Sequence, residues 1–231
     1  MNDRITSLDS SFGYGVSAEQ RNRVLRNTYW LLTLSLVPTV LGAWFGVAAG
    51  LSHVLSGGLG MVVFLVGAFG FMYAIEKNKN SAAGVPILLG FTFFMGLMLS
   101  RMIEMTLGFR NGADLIMIAF GGTAGVFMAM ASLATVIKRD LSGMGKWLFV
   151  GLVVVLVGSL INMFVGSSAG MLAISVAIIG IFSAYMLYDV KRIIDGGETN
   201  YITATLALYL DIINVFQSLL ALLGIFGGER D

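Results

Sequence analysis

The residue of this chain whose type and position most strongly suggest chemistry is Asp211, an acid inside a long apolar stretch. That stretch runs from Tyr201 to Phe226, and as a helix rising about 1.5 Å per residue it is long enough to cross a hydrocarbon layer of about 30 Å. Asp211 follows Tyr201 by ten residues, or about 15 Å, which places it near the middle of that layer. An ionised aspartate at this depth costs about 2.5 to 3.5 kcal/mol, so we expect it to face a protein interior and to have a partner.

Two further polar residues follow Asp211 on the same side of the predicted helix. Asn214 and Ser218 stand three and seven positions later, so the three side chains fall within an arc of about 60°. Gln217 widens this stripe, whereas most of the remaining neighbours are apolar. A helix that is apolar on most sides and has one polar stripe is typical of a central helix that other helices surround. We therefore predict that Asn214 and Ser218 are supporting polar residues of a site at Asp211.

A second acid, Asp189, lies at the end of the apolar stretch that precedes Tyr201. Only a short loop, residues 191–200, separates the two stretches, so their helices should be neighbours and their acids can meet. Two carboxylates in contact in a low-dielectric interior cannot both be charged cheaply, so the pair would share a proton and titrate as one coupled unit. Deprotonated carboxylates also suit a hard cation such as Ca²⁺. Asp189 and Asp211 together thus predict a proton-sensitive gate and a transient calcium site.

A less specific interpretation of the two acids also fits their spacing. Asp189 can pair with Arg192, about one helical turn later, or reach water at the membrane surface. Asp211 can stay protonated and bond to Asn214. Spacing alone leaves these alternatives open for Asp189, whereas the rarity of acids inside membrane spans favours a functional role for Asp211.

The composition identifies the class of protein in which these acids lie. Of the 231 residues, 57% are hydrophobic and 12% are charged, and the mean hydropathy is +0.89, whereas soluble domains are about 25% charged. The chain is therefore predicted to be an all-α integral membrane protein that contacts the lipid bilayer. A net charge of +1 gives no basic field for nucleic acid, and the absence of cysteine excludes disulfides and thiolate sites.

Seven apolar stretches are each long enough to cross a bilayer as a helix. Their approximate ranges are 29–51, 54–75, 83–105, 114–137, 147–165, 169–190 and 201–226. Short polar or glycine-rich breaks separate them, which predicts mostly sequential antiparallel hairpins. Residues 1–26 have no apolar periodicity and are predicted to form a polar cytoplasmic tail, and residues 27–231 are predicted to form a single transmembrane domain.

The distribution of basic residues predicts the orientation, because cytoplasmic loops hold the excess of Lys and Arg. With seven spans and the N-terminus inside, the cytoplasmic segments contain eleven of the fourteen basic residues, namely Arg4, Arg21, Arg23, Arg26, Lys77, Lys79, Lys138, Arg139, Lys146, Lys191 and Arg192. The outer segments contain Arg101, Arg110 and Arg230. We therefore predict a cytoplasmic N-terminus and an external C-terminus.

Other patterns favour packing, or are set aside as catalytic signatures. Gly121, Gly125 and Ala129 have the small-xxx-small spacing of closely packed membrane helices, so we expect them to mediate helix packing. Residues 166–170 match G-x-S-x-G, but between two membrane helices rather than at a strand-to-helix turn. The single histidine, His53, has no second His or Cys with which to form a metal site. We expect no enzymatic activity and no resident cofactor.

Four motifs give the chain a resemblance to a known family. YMLYDV around Asp189 and LALYLDIINVFQSLL around Asp211 look like motifs of the Bax inhibitor-1 family of membrane proteins. Residues 26–34 (RNTYWLLTL) and 196–202 (GGETNYI) are similar to its bacterial subgroup, the modulators of the FtsH membrane protease. With the seven predicted spans, the resemblance covers residues 20–228.

The resemblance implies three helical hairpins around a central last helix and a pH-sensitive calcium leak gated by two acids. Carried over by motif, the gating pair is Asp189 and Asp211. Other members use an acid and an arginine in the second span, whereas residues 54–75 contain neither. The bacterial subgroup implies a different role in the inner membrane, that of binding an FtsH-like membrane protease and restraining it, with Met1 to Arg26 as the contact segment.

Overall fold

The computed structural model describes residues 17–55 and 57–229, and these form eight α-helices. They are α1 (Ala18–Ala48), α2 (Leu51–Val54), α3 (Gly57–Asn78), α4 (Gly84–Leu107), α5 (Gly112–Val136), α6 (Met144–Val165), α7 (Ser168–Ile194) and α8 (Tyr201–Gly227). All except the four-residue α2 are long and apolar enough to cross a membrane. The prediction of an all-α protein with seven membrane-spanning helices is confirmed.

Helix α1 begins well before the first predicted span. Ser17 is its N-cap, and the serine hydroxyl accepts a hydrogen bond from the amide three residues later at 3.1 Å. Val24 and Thr28 are buried one turn apart, so they lie on the same side of α1. The side of α1 that packs against the bundle therefore extends into the arginine-rich segment before the first predicted span. The prediction of a polar tail over residues 1–26 is therefore corrected for residues 18–26, which are helical. Residues 1–16 lie outside the described residues.

Helix α8 occupies a central position, because it packs against α1, α3, α4, α5 and α7. Its side chains are buried on several sides, including Leu208 and Tyr209, which are fully buried. The larger of the two apolar clusters in the described chain surrounds these residues and includes Phe91 of α4 and Val190 of α7. The helix that contains Asp211 is thus enclosed by other helices, as its polar stripe predicted.

The most extensive packing in the bundle is between α1 and α4. The long helix that follows α1 in the sequence is α3, and it is not the main neighbour of α1. Three glycines bring the two backbones together. A Cβ atom at Gly42 would overlap the carbonyl oxygen of Phe93, and one at Gly96 would overlap that of Thr39. Gly46 lies equally close to the Ser100 side chain. Purely sequential hairpins therefore do not describe the packing of α1, since close backbone approach in lipid depends on matched small residues on both helices.

The predicted packing role of Gly121 and Gly125 on α5 is wrong within the described chain. Both glycines are exposed, and a Cβ atom added at either would have no neighbour within 4 Å. Ala129, one turn later, is exposed as well. Small-xxx-small spacing indicates that a helix can be approached closely, but it does not determine whether another helix of the same chain lies there.

The contrast between Gly96 and Gly125 gives a test of the fold. Gly96→Ala should lower the free energy of unfolding by about 1 to 3 kcal/mol, because the new methyl group forces α1 and α4 apart. Gly125→Ala is the matched control and should leave that free energy unchanged or raise it by up to about 1 kcal/mol, since alanine is the better helix former. Unfolding in mixed micelles of mild detergent and dodecyl sulfate measures both. Equal effects of the two substitutions would contradict the α1–α4 packing.

Candidate functional site

The structure brings the two predicted acids together. The carboxyl groups of Asp189 on α7 and Asp211 on α8 lie close enough to interact with each other directly. An ionised carboxylate is only an acceptor, so a hydrogen bond between two carboxyl groups requires a proton on one of them. Asp211 is 4% exposed, and no amide, hydroxyl or basic group in the described chain donates to its Oδ2 atom. The Oδ2 atom of Asp211 is thus buried without a described donor, and the neighbouring carboxyl group of Asp189 can satisfy it only by carrying a proton.

Asp189 also interacts with charged groups at the end of α7. The Arg192 guanidinium and the Glu198 carboxylate both act on it electrostatically, with opposite signs. Arg192 itself forms an ion pair with Glu198 at 3.8 Å. Asp189 is half-buried, whereas Asp211 lies deeper. The alternative in which Asp189 interacts with Arg192 and the interpretation as an acid pair are thus compatible, because one carboxyl group faces both neighbours.

The two supporting residues on α8 are less directly involved than their spacing predicts. The Asn214 amide donates to the carbonyl oxygen of Leu210 at 2.7 Å, so its described hydrogen bond serves its own helix rather than Asp211. Ser218 is buried, but it lies about 10 Å along the axis from Asp211 and so beyond hydrogen-bond reach of the acid pair. Neither residue takes the place of Asp189 as a partner for Asp211.

Tyr185 is a residue of the site that the sequence reasoning missed. It stands one turn before Asp189 on α7 and interacts electrostatically with both carboxyl groups. Its ring also packs against Phe182 at a centroid distance of 5.9 Å. The signal was present in the sequence, because residues four apart on a helix share a face and Tyr185 precedes Asp189 by four. A phenol beside two carboxyl groups can donate a hydrogen bond when they lose their proton.

The N-cap residue of α8 and one residue within the helix hold it in the position that presents Asp211. At its start, the Asn200 side chain caps the helix by accepting from the amide of Ile202 at 2.9 Å, and its Nδ2 donates to Lys79 O at 3.0 Å in the α3–α4 loop. Two residues before Asp211, the Tyr209 hydroxyl bonds to the Thr39 hydroxyl at 2.9 Å. These bonds join α8 to α1 and to the α3–α4 loop.

The far end of α8 is fixed by Asn111 in the α4–α5 loop. Its Nδ2 donates to Gly227 O at 2.6 Å, and its Oδ1 accepts from the amide of Glu229 at 3.1 Å. The amide of Arg110 donates to Glu229 O at 3.1 Å beside it. Because both ends of α8 are bonded to other segments, Asp211 is held at a fixed depth in the bundle.

The acid pair does not by itself complete a calcium site. Ca²⁺ takes six to eight oxygen ligands, and two carboxyl groups supply four at most. Among the described residues, no group of three or more His, Cys, Asp and Glu side chains converges on one point. A calcium ion at Asp189 and Asp211 would therefore need water as its remaining ligands.

Comparison with known families agrees with this architecture. The family model described as Inhibitor of apoptosis-promoting Bax1 matches residues 21–228. The chain belongs to the Bax inhibitor-1 family. The match covers all seven long helices apart from the first turn of α1, and it includes both acids. The resemblance identified from the motifs around Asp189 and Asp211 is confirmed.

Several bacterial relatives are similar to this chain over most of its length. An Escherichia coli protein named modulator of FtsH protease YccA is 40% identical over 204 residues, which are 88% of this chain and 90% of the relative. A membrane protein of Vibrio cholerae is 39% identical over 211 residues, or 91% and 92% of the two chains. A Pseudomonas aeruginosa protein is 38% identical over 214 residues. The similarity to the bacterial subgroup is therefore confirmed.

The contact between the two acids can be measured as a coupling energy. Asp189→Ala and Asp211→Ala each remove the same carboxyl–carboxyl interaction, so the double variant should lose less stability than the sum of the two single variants. We expect a coupling of about 0.5 to 3 kcal/mol in the free energy of unfolding in mixed micelles. Asp189→Ala with Asn214→Ala is the control cycle, and it should be additive within about 0.5 kcal/mol. An additive Asp189 and Asp211 cycle would show that the pair is not in contact.

Proposed function

We propose that this protein is a non-catalytic modulator in a bacterial inner membrane, which binds a membrane-anchored protease of the FtsH type and restrains its proteolysis. The observation that carries this proposal is the E. coli relative named modulator of FtsH protease, because the two chains are 40% identical over about nine tenths of each. A second E. coli relative at the same identity is named an inner membrane protein. The comparison does not rest on one shared motif but extends over the whole bundle.

The start of α1 is the part of the described chain that best fits contact with such a protease. Arg23 and Arg26 are exposed there, while Val24 between them packs into the bundle. Arg21 donates to the carbonyl of Ile194 at the end of α7 at 3.3 Å, which attaches this turn of α1 to the rest of the protein. The predicted contact segment, residues 1–26, thus ends in the first turns of α1. These turns are attached to α7, and the side chains of Arg23 and Arg26 are exposed on them.

Proteolysis of a reconstituted membrane substrate tests this role. Adding the full chain to the protease should slow cleavage of the substrate, and Arg23→Ala with Arg26→Ala should weaken the inhibition about fivefold, since two exposed ion pairs contribute about 1 kcal/mol together. Lys138→Ala with Arg139→Ala is the matched control, because these two cations are equally exposed on the α5–α6 loop. An unchanged cleavage rate at saturating protein would overturn the proposal.

Removal of residues 1–16 separates the contribution of the segment before α1. This deletion keeps the Ser17 cap and the bond from Arg21 to Ile194, so α1 retains both of its described attachments there. If the segment contacts the protease, the deletion should reduce co-purification of the protease more than the Arg23 and Arg26 substitutions do. Equal recovery with the deletion and with the full chain would place the contact elsewhere.

A second function follows from the acid pair. We propose that Asp189 and Asp211 gate a pH-sensitive cation leak, with Ca²⁺ as the permeant ion. Support for this role comes from the carboxyl contact inside a membrane bundle, because gain or loss of the shared proton changes both the charge and the hydrogen bond between α7 and α8. The charged residues that other members use in the second span are absent here, since residues 54–75 contain no charge. The leak therefore ranks second to the modulator role.

Calcium flux into proteoliposomes across a pH series tests the leak. Asp211→Ala and Asp189→Ala should each abolish the pH dependence of the flux, because a single remaining carboxyl group has no partner with which to share a proton. Asp140→Ala is the control, since this aspartate is exposed on the α5–α6 loop and bonds only to Ser142 in the described chain. The leak is ruled out if the wild-type flux equals that of empty vesicles at every pH.

A further inference from the structure

An apolar groove of about 770 Å³ lies between α1 and α5, and neither Asp189 nor Asp211 is among its lining residues. Helices α4 and α8 form its floor, through residues such as Leu99 and Ile213. Three hydroxyl groups line it, but those of Thr33, Thr39 and Thr123 donate to the backbone carbonyls four residues before them, at 2.9, 2.8 and 2.7 Å respectively. The groove therefore presents an almost wholly apolar surface, and nothing in it suits a polar ligand.

The groove is closed at one end and open along its side. Tyr29 of α1 and Phe127 of α5 meet edge to face at a centroid distance of 5.8 Å and close the end nearer the N-terminus of α1. The other end lies at Val47 and Met117, on the face that the basic residues predict to be external. Val40 is among the lining residues and is exposed, so the groove opens sideways to the hydrocarbon of the bilayer.

The dimensions of the groove distinguish between two kinds of occupant. Its α5 wall runs from Ile116 to Phe127, about 16 Å along the helix, and its α1 wall runs from Leu32 to Val47, about 22 Å, so both walls are shorter than a 30 Å hydrocarbon core. A transmembrane helix of a partner needs about 20 residues and the full core, so the Tyr29 and Phe127 closure prevents it from lying along the groove. An acyl chain from one leaflet has the length of the groove and needs no polar partner.

We propose that this groove is a binding site for one acyl chain of a membrane phospholipid from the leaflet at the Met117 end, with a headgroup that has an ammonium. The headgroup class follows from Asp114, which is exposed and stands three residues before Met117 on the same side of α5. Asp114 is in the first turn of α5, one turn before the lining residue Met117. A phospholipid seated there brings its ammonium close to a negative charge.

Gly121 allows the site to be filled without disturbing the fold. It lines the groove, and a Cβ atom there has no neighbour within 4 Å, so a larger side chain would occupy the space of the acyl chain. Gly180 on α7 is exposed, equally open and not among the lining residues, which makes it the matched control. Ala124→Leu is a second filling variant at another lining position.

The test uses full-length protein reconstituted in vesicles of equal phosphatidylethanolamine and phosphatidylglycerol, then extracted in mild detergent and examined by native mass spectrometry. Wild type and Gly180→Leu should retain one phospholipid, with phosphatidylethanolamine in excess. Gly121→Leu and Ala124→Leu should retain it roughly tenfold less, which corresponds to about 1.4 kcal/mol of lost packing. Thermal unfolding of each variant reports on the fold.

Two outcomes would overturn the proposal. If folded Gly121→Leu and Ala124→Leu retain as much phospholipid as Gly180→Leu, the retained lipid does not occupy the groove. If wild type retains none, no site exists. Asp114→Asn should keep the bound lipid but abolish the excess of phosphatidylethanolamine, and an unchanged excess would show that Asp114 does not select the headgroup. None of these measurements depends on a protease or on ion flux, so failure here is distinct from failure of either proposed function.

Discussion

The burial of one carboxyl group at the centre of an apolar bundle is the constraint on which the rest of this structure depends. Asp211 lies on the helix that five other helices contact, and water cannot solvate it there. Asp189 on the adjacent helix places a second carboxyl group beside it, and a proton shared between the two acids would compensate for this burial. The relative depth and rotation of α7 and α8 are therefore fixed by a polar contact, within surfaces that are otherwise apolar and would tolerate sliding.

Helices in lipid gain little from the hydrophobic effect when they associate, so close packing and hydrogen bonds must hold them. The glycines of α1 and α4 provide close packing. Hydrogen bonds are provided by Tyr209, Asn200 and Asn111. These contacts lie at the centre and at both ends of α8. Asp211 therefore lies on a helix that is restrained along its whole length.

The groove between α1 and α5 shows the other consequence of association in lipid. Where two helices of a bundle do not meet, the space between them must be filled by hydrocarbon, because the bilayer core contains no water. Gly121 lines this space and has no side chain to fill it. A protein that modulates a membrane partner and binds a lipid beside its central helix would present that lipid as part of its surface.

The sequence alone determined the class of protein, the seven membrane-spanning helices, the family and the two acids. It could do so because hydropathy, span length and a charge inside a span are properties of local sequence. Only the tertiary structure decided that Asp189 meets Asp211, that α1 pairs with α4, that Asn214 bonds to its own helix, and that the stripe at Gly121 is exposed. The helix over residues 18–26 was also missed, because Val24 is its one buried apolar residue and the arginines around it made the segment look uniformly polar. In an apolar bundle nearly every face of a helix can pack, so the choice of neighbour depends on small residues and polar groups that must match across helices far apart in sequence.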